Sequence, residues 1–125
     1  GVVVKPRVNI KHPGMLTVGD NSWIGEGVWI DNLAQVSIGD NVCLSQGAML
    51  LTGNHDYKDR RFGLITAPIS LESGVWVGAL ATIGPGVTCK KNSVITVGGI
   101  ATKDLEAGGI YGGVPANFVR QREFR

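Results

Sequence analysis

Residues 18–35 read VGDNSW IGEGVW IDNLAQ, three copies of one six-residue pattern. The pattern returns at 38–55 as IGDNVC LSQGAM LLTGNH, and at 71–106 as LESGVW VGALAT IGPGVT CKKNSV ITVGGI ATKDLE. Its first column holds Val18, Ile24, Ile30, Ile38, Leu44 and Leu50, then Leu71, Val77, Ile83, Cys89, Ile95 and Ala101. Ten of these twelve are Ile, Leu or Val, where the 34 such residues among 125 would place about three by chance. Four residues further on stand Ser22, Val28, Ala34, Val42, Ala48, Val75, Ala81, Val87, Ser93 and Gly99, all small or β-branched. Large and small inward residues therefore alternate.

A six-residue period drifts around a helix of 3.6 residues per turn, and a long strand would need period two. Very short strands separated by turns satisfy it. Gly19, Gly25, Gly39, Gly78 and Gly84 follow the large inward residue, beside Asp-Asn or Pro-Gly pairs that suit tight turns. Three hexapeptides close one triangular coil, so the pattern predicts an all-β, single-domain parallel β-helix, with twelve repeats making four coils. A β-sandwich with glycine turns is the competing reading, but its strands would run longer. Collagen and Pro/Gly-rich disorder are excluded, because 19 glycines come with only 5 prolines and no Gly-X-Y period.

The remaining composition narrows the function classes. A net charge of +2 without a basic stripe gives no argument for nucleic acid. Cys43 and Cys89 cannot build a multi-bridge secreted scaffold, so a reducing compartment fits. No run approaches the ~18 apolar residues of a membrane-spanning helix. The chain begins at Gly1 without a Met, and we expect an N-terminal portion to precede it in the natural protein. Trp23, Trp29 and Trp76 sit at offsets pointing away from the inward column, so a ligand or another subunit is expected to cover them.

The period fails over residues 52–68, TGNHDYKDRRFGLITAP. Insertions into solenoids tend to become binding loops, and this one carries His55, one of only two histidines. Imidazole ordinarily titrates near neutrality and can take the proton from an alcohol or amine attacking an acyl donor. Asp56 is a candidate to orient it; His12, beside Pro13, has no chemical cue around it. Residues 104–125 form a tail, read as turns and a short edge strand up to Gly113, then a short amphipathic helix or extended segment from Pro115. Lys103, Arg120, Arg122 and Arg125 concentrate positive charge there, and no P-loop competes for a phosphate ligand.

The hexapeptides, the loop TGNHDY, the restart PISLESGVWVGALATIGPGV and the ending VGGIATKDLEAGGIYGGVPANFVRQR resemble the hexapeptide-repeat acyltransferases over nearly the whole chain. The segment SWIGEGVWIDNLAQVSIGDNVCLSQGA is most similar to the branch named for colanic acid biosynthesis. The resemblance implies a left-handed β-helix assembled as a homotrimer, with acetyl-CoA in a groove between neighbouring prisms. It implies His55 as general base and Trp76 at the acceptor or pantetheine end. Gly78 and Ala79 would lie beside the thioester, one of their N–H groups steadying the oxyanion, with Gly98, Thr102 and Lys103 farther along the coenzyme. Arg120 would reach the nucleotide phosphates. Where related sugar acetyltransferases carry an acceptor-binding Asn this chain has Gly25, so Asp31 or Asn32 is expected to supply that contact. No metal and no acylated cysteine is implied.

The expected activity is an acetyl-CoA-dependent O-acetyltransferase acting on a sugar or a carrier-linked saccharide of a surface polysaccharide. Its expected place is the cytoplasm, near the inner face of the membrane where such precursors are made. The alternatives are an amine or antibiotic acetyltransferase and a noncatalytic scaffold or binding protein. A β-helical carbonic anhydrase would need three zinc-binding histidines, and the chain has two.

Overall fold

A computed structural model describes all 125 residues as a triangular left-handed parallel β-helix of five coils. The first coil holds β1 (Val3–Val4), β2 (Asn9–Ile10) and β3 (Leu16–Val18); the second holds β4 (Trp23–Ile24), β5 (Trp29–Asp31) and β6 (Val36–Ile38). The third coil begins with β7 (Cys43–Leu44) and β8 (Met49–Leu51), leaves the prism as β9 (Gly53–His55) and β10 (Leu64–Thr66), and returns as β11 (Ile69–Leu71). The fourth contains β12 (Trp76–Val77), β13 (Thr82–Ile83) and β14 (Thr88–Cys89). The fifth contains β15 (Val94–Ile95) and β16 (Ile100–Ala101), and closes through a bridge of Leu105 to Cys89.

Each face is a parallel sheet with strands contributed by successive coils. β1, β4, β7, β12 and β15 make the first face, β2, β5, β8, β13 and β16 the second, and β3, β6, β11 and β14 the third. The register puts Ile24 beside Leu44, Leu44 beside Val77 and Val77 beside Ile95. The inward column predicted from the repeat is thus a ladder, with Ile24, Ile30, Leu44, Leu50, Leu71, Ile83, Cys89 and Ile95 all buried. The small column packs beside it, so that large side chains of one corner fill the space left by small ones at the next. Of 74 backbone hydrogen bonds, 48 lie outside the strands; most of these join a strand residue to a turn residue of the neighbouring coil, and others, such as Gly47 N–H to the Glu26 carbonyl, join turn to turn, so the edges of the prism are laddered like its faces.

One expectation is corrected, and one pair of alternatives is decided. There are five coils, not four, because the N-terminal residues complete one of their own. Val4, Ile10 and Val18 are spaced by six and then eight residues, as Ile24, Ile30 and Ile38 are; counting back by six from Val18 reaches His12 and misses the wider corner. The tail after Pro115 is no helix. After β17 (Gly109–Gly112), which continues the first face beside β15, the chain reverses and β18 (Asn117–Gln121) pairs antiparallel to β17. Strand pairing there satisfies backbone groups that the end of the solenoid would otherwise leave open. Arg122 fastens this hairpin, its Nη1 donating to the carbonyls of Gly74 (3.0 Å) and Asn92 (3.2 Å) on the edge between the third and first faces.

Candidate functional site

The excursion is an antiparallel hairpin with His55 opposite Leu64, and buried Thr52 anchors its base. The Thr52 hydroxyl donates to the Asp31 carbonyl (2.9 Å) and accepts from the Ala34 N–H (3.2 Å), while its carbonyl accepts from the Ala67 N–H (3.0 Å). Both ends of the hairpin are therefore tied to the second coil and to each other. The tip is wired internally: Asp56 N–H donates to the Gly63 carbonyl (2.9 Å) and Phe62 N–H to the Asp59 carbonyl (2.9 Å).

The Nδ1 of His55 lies 3.0 Å from the carbonyl oxygen of Phe62, and the two rings stack with centroids 4.2 Å apart and planes 10° from parallel. A carbonyl only accepts, so Nδ1 carries the proton in this pair and the Nε2 of the neutral ring keeps its lone pair. The candidate orienter in the sequence, Asp56, is engaged elsewhere. Its Oδ1 accepts the Lys58 N–H (3.2 Å) within the turn, and a backbone carbonyl orients the imidazole instead.

Of the other predicted residues, Gly78, Ala79 and Gly98 fall on the edge between the first and second faces. Along the edge between the first and second faces, turns stack with a left-handed residue at the third position: Arg7, Gly27, Gly47, Leu80 and Gly98. The residue before each, from the second coil onward, is Glu26, Gln46, Ala79 and Val97, and none of their N–H groups donates within the chain. The edge between the third and first faces is different. There Asp20 N–H donates to Asp40 Oδ1 (2.8 Å), Asp40 N–H to Ser73 Oγ (3.3 Å) and Lys91 N–H to Glu72 Oε1 (3.0 Å). Ser73 N–H apart, that edge caps these turn donors with side chains, whereas the first leaves all four open to a ligand's carbonyl or oxyanion.

Gly78 and Ala79 thereby separate in role. Gly78 N–H is spent on the Ile95 carbonyl (2.8 Å), and an added Cβ would lie 2.8 Å from that oxygen, so coil stacking requires this glycine. The open donor beside it belongs to Ala79. Gly98 sits above, donating to the Ala79 carbonyl (2.9 Å), with a φ of +69° and open space where a Cβ would stand.

Trp23, Cys43 and Trp76 are side by side on the outer first face. Neighbouring strands are ~4.8 Å apart, so the smaller Cys43 stands between two half-exposed indoles. Trp76 Nε1–H donates to Ser45 Oγ (2.9 Å), and Lys5 Nζ stands 5.3 Å from the Trp23 ring centroid. Beside them a pocket of about 280 Å³ is lined by Lys5, Trp23, Gly25, Glu26, Ser45 and Gln46. Gly25, flagged by the sequence as a departure, forms part of this wall. Asp31 and Asn32 do not. Asn32 is fully buried, its amide accepting from the His12 N–H (2.8 Å) and donating to the His12 carbonyl (2.7 Å), so it fastens the first coil to the second. Asp31 lies on the outer second face, 4.0 Å from Lys11 Nζ. Glu26 and Gln46 were legible as third members of equivalent repeats in consecutive coils, IGEGVW and LSQGAM, had that column been followed along this edge alone.

Thr102 and Lys103 are exposed on the edge that also sends out the His55 hairpin, two coils farther along. Arg120, on β18 opposite Ile110, lines a second pocket of about 370 Å³ with Gln121, Arg122 and Glu123. The cysteines are unbonded. Burial, helped by Asp104, pushes the Cys89 thiol up to about 12, as suits an inert core residue. Histidine, cysteine and carboxylate side chains nowhere gather in threes around a possible metal position, and no helix is long and apolar enough to cross a membrane.

No family model matches the chain. Individual relatives do. WcaF of Escherichia coli K12, an acetyltransferase named for colanic acid biosynthesis, is 33% identical over 121 residues, covering 97% of this chain and 66% of its own. Galactoside O-acetyltransferase of Escherichia coli K12 is 32% identical over 121 residues, covering 94% of this chain and 60% of its own. The chain thus spans just under two thirds of the length of these relatives. A hexapeptide-repeat acetyltransferase of Vibrio cholerae, also solved with acetyl coenzyme A, superimposes with a TM-score of 0.92 at 27% identity, over 98% of this chain and 72% of that one. With the repeat, the solenoid and the sequence all shared along nearly its whole length, the chain belongs to the hexapeptide-repeat acetyltransferase family.

Proposed function

We propose that this protein transfers acetyl from acetyl-CoA to a hydroxyl of a sugar or carrier-linked saccharide, with His55 as general base. The observation that carries the reading is the Phe62 carbonyl on Nδ1, which leaves Nε2 as the proton acceptor of an exposed imidazole. Nε2 takes the proton of the acceptor hydroxyl as its oxygen attacks the thioester carbonyl. The Ala79 N–H steadies the resulting oxyanion. The carbon–sulfur bond then breaks and His55 returns the proton to the departing sulfur. The Trp23 pocket holds the acceptor, an indole face for the sugar ring and Glu26, Ser45 and Gln46 for its hydroxyls. Thr102, Lys103 and Arg120, all exposed, are placed to meet the phosphate-bearing half of the coenzyme.

The centre is shared between copies of the chain. His55 leaves the edge between the second and third faces, whereas Ala79, Gly98 and the Trp23 pocket line the edge between the first and second. The width of the second face separates them in one prism. A neighbour that sets one edge against the other joins them, and a homotrimer repeats the contact so that each copy gives both halves. Exposed Trp29, Leu80 and Val97 lie along this contact. Unbonded Cys43 and Cys89 and the demand for acetyl-CoA fit the cytoplasm, where sugar precursors of surface polysaccharides are assembled.

The test is acetyl-CoA turnover with a panel of sugars, nucleotide sugars and aminoglycoside-like amines, run beside His55→Ala. Hydroxyl acceptors are expected to be turned over, and the variant to lose about 10² to 10⁴ in kcat. Unchanged turnover in His55→Ala removes the base from the mechanism, and turnover of amines alone replaces O-transfer by N-transfer.

A further inference from the structure

We infer that Phe62 is the positioning residue of His55, acting through its ring as well as its carbonyl; the inference rests on His55 being the base proposed above. Three observations meet at this residue. Its carbonyl oxygen is 3.0 Å from Nδ1, its ring is stacked on the imidazole, and its φ is +52°. A bulky side chain seldom takes the left-handed region, and such outliers collect where a local geometry is being imposed. Here the reversal at Phe62 aims its carbonyl back at β9. The bonds Phe62 N–H to Asp59 and Asp56 N–H to Gly63 fix the backbone on both sides.

Burial does not explain the aromatic ring, because Phe62 is 55% exposed and belongs to no core. Its broad contact is the face of His55. The neutral side chain of a solvated histidine prefers the tautomer protonated at Nε2, which has no lone pair there to receive a proton. The carbonyl imposes the opposite tautomer, and the stacked ring keeps the imidazole in the plane where that hydrogen bond is made. The carboxylates of the turn take no part in holding the ring, since Asp56 Oδ1 is bonded to the Lys58 N–H and Asp59 Oδ1 to the Arg61 N–H.

The experiment compares wild type with Phe62→Tyr, which keeps a ring, and with Phe62→Leu and Phe62→Gly, which do not. The first readout is the 15N spectrum of the imidazoles above their titration range. The only other histidine is His12, identified with His12→Gln. Wild type and Phe62→Tyr should show a protonated Nδ1 and an unprotonated Nε2 at His55. The ringless variants should shift toward protonated Nε2. The second readout is kinetic. The ringless variants should lose about tenfold or more in kcat with little change in KM for acetyl-CoA, and Phe62→Tyr should stay within about twofold of wild type. A wild-type His55 protonated at Nε2 overturns the inference, as does a wild-type tautomer and kcat in both ringless variants. Failure of the base reading shows separately, as wild-type turnover by His55→Ala whatever its tautomer.

Discussion

Ser22 and Ser93 occupy the same inward column of small residues, and both are buried, but their hydroxyls have different fates. Ser22 Oγ donates to the Gly39 carbonyl (2.8 Å) and accepts from the Val42 N–H (3.1 Å); Ser93 Oγ has no partner. A buried hydroxyl without a partner costs stability, while removing one that serves two backbone groups leaves those groups unpaired. Ser93→Ala should therefore raise the stability of the protein by about 1 kcal/mol, and Ser22→Ala should lower it by about 1–2 kcal/mol, in urea unfolding at matched protein concentration. The sequence placed both serines correctly because their position depends only on the repeat. It could not tell them apart, since the difference lies in what the neighbouring coil brings within reach. The same holds at Asn32, which by type and place suited a substrate contact and by geometry pins His12.

At the scale of the element, the turns reproduce one plan. Gly78 through Ala81 close with Ala81 N–H on the Gly78 carbonyl (3.1 Å) and Leu80 left-handed, the arrangement of a type II turn with Ala79 at its second position. Proline suits that position, and the chain already uses it in equivalent places, Pro6 in the first coil and Pro85 between the second and third faces. Ala79→Pro should thus keep the fold, judged by an unchanged circular dichroism spectrum and melting profile, while deleting the N–H assigned to the oxyanion. Its kcat is expected to fall by about 10² to 10³, and wild-type kcat would reject that donor. The hairpin was legible only as an interruption. Its internal pairing and the approach of Phe62 to His55 follow from contacts across seven residues that obey no period, so the pattern located His55, the proposed base, but not the carbonyl that its Nδ1 meets.

The whole molecule is a prism whose order is one-dimensional, and for that reason its fold was readable from a column of residues. Even there the missed first coil shows that the clock keeps time only when the wide corners are counted. The proposed catalytic arrangement was less legible, because under that proposal residues on different edges acquire a common purpose only across an interface between copies. The most direct test of a centre built from His55 of one copy and the Ala79 edge of another is activity in mixed assemblies. His55→Ala and Ala79→Pro, each nearly inactive alone, are co-expressed in equal amounts and the mixed oligomers are assayed for acetyl transfer. Random assembly pairs an intact His55 with an intact Ala79 at about a quarter of interfaces, so the mixture should recover about a quarter of wild-type activity. Mixed oligomers that stay as inactive as their parents would contradict the shared centre.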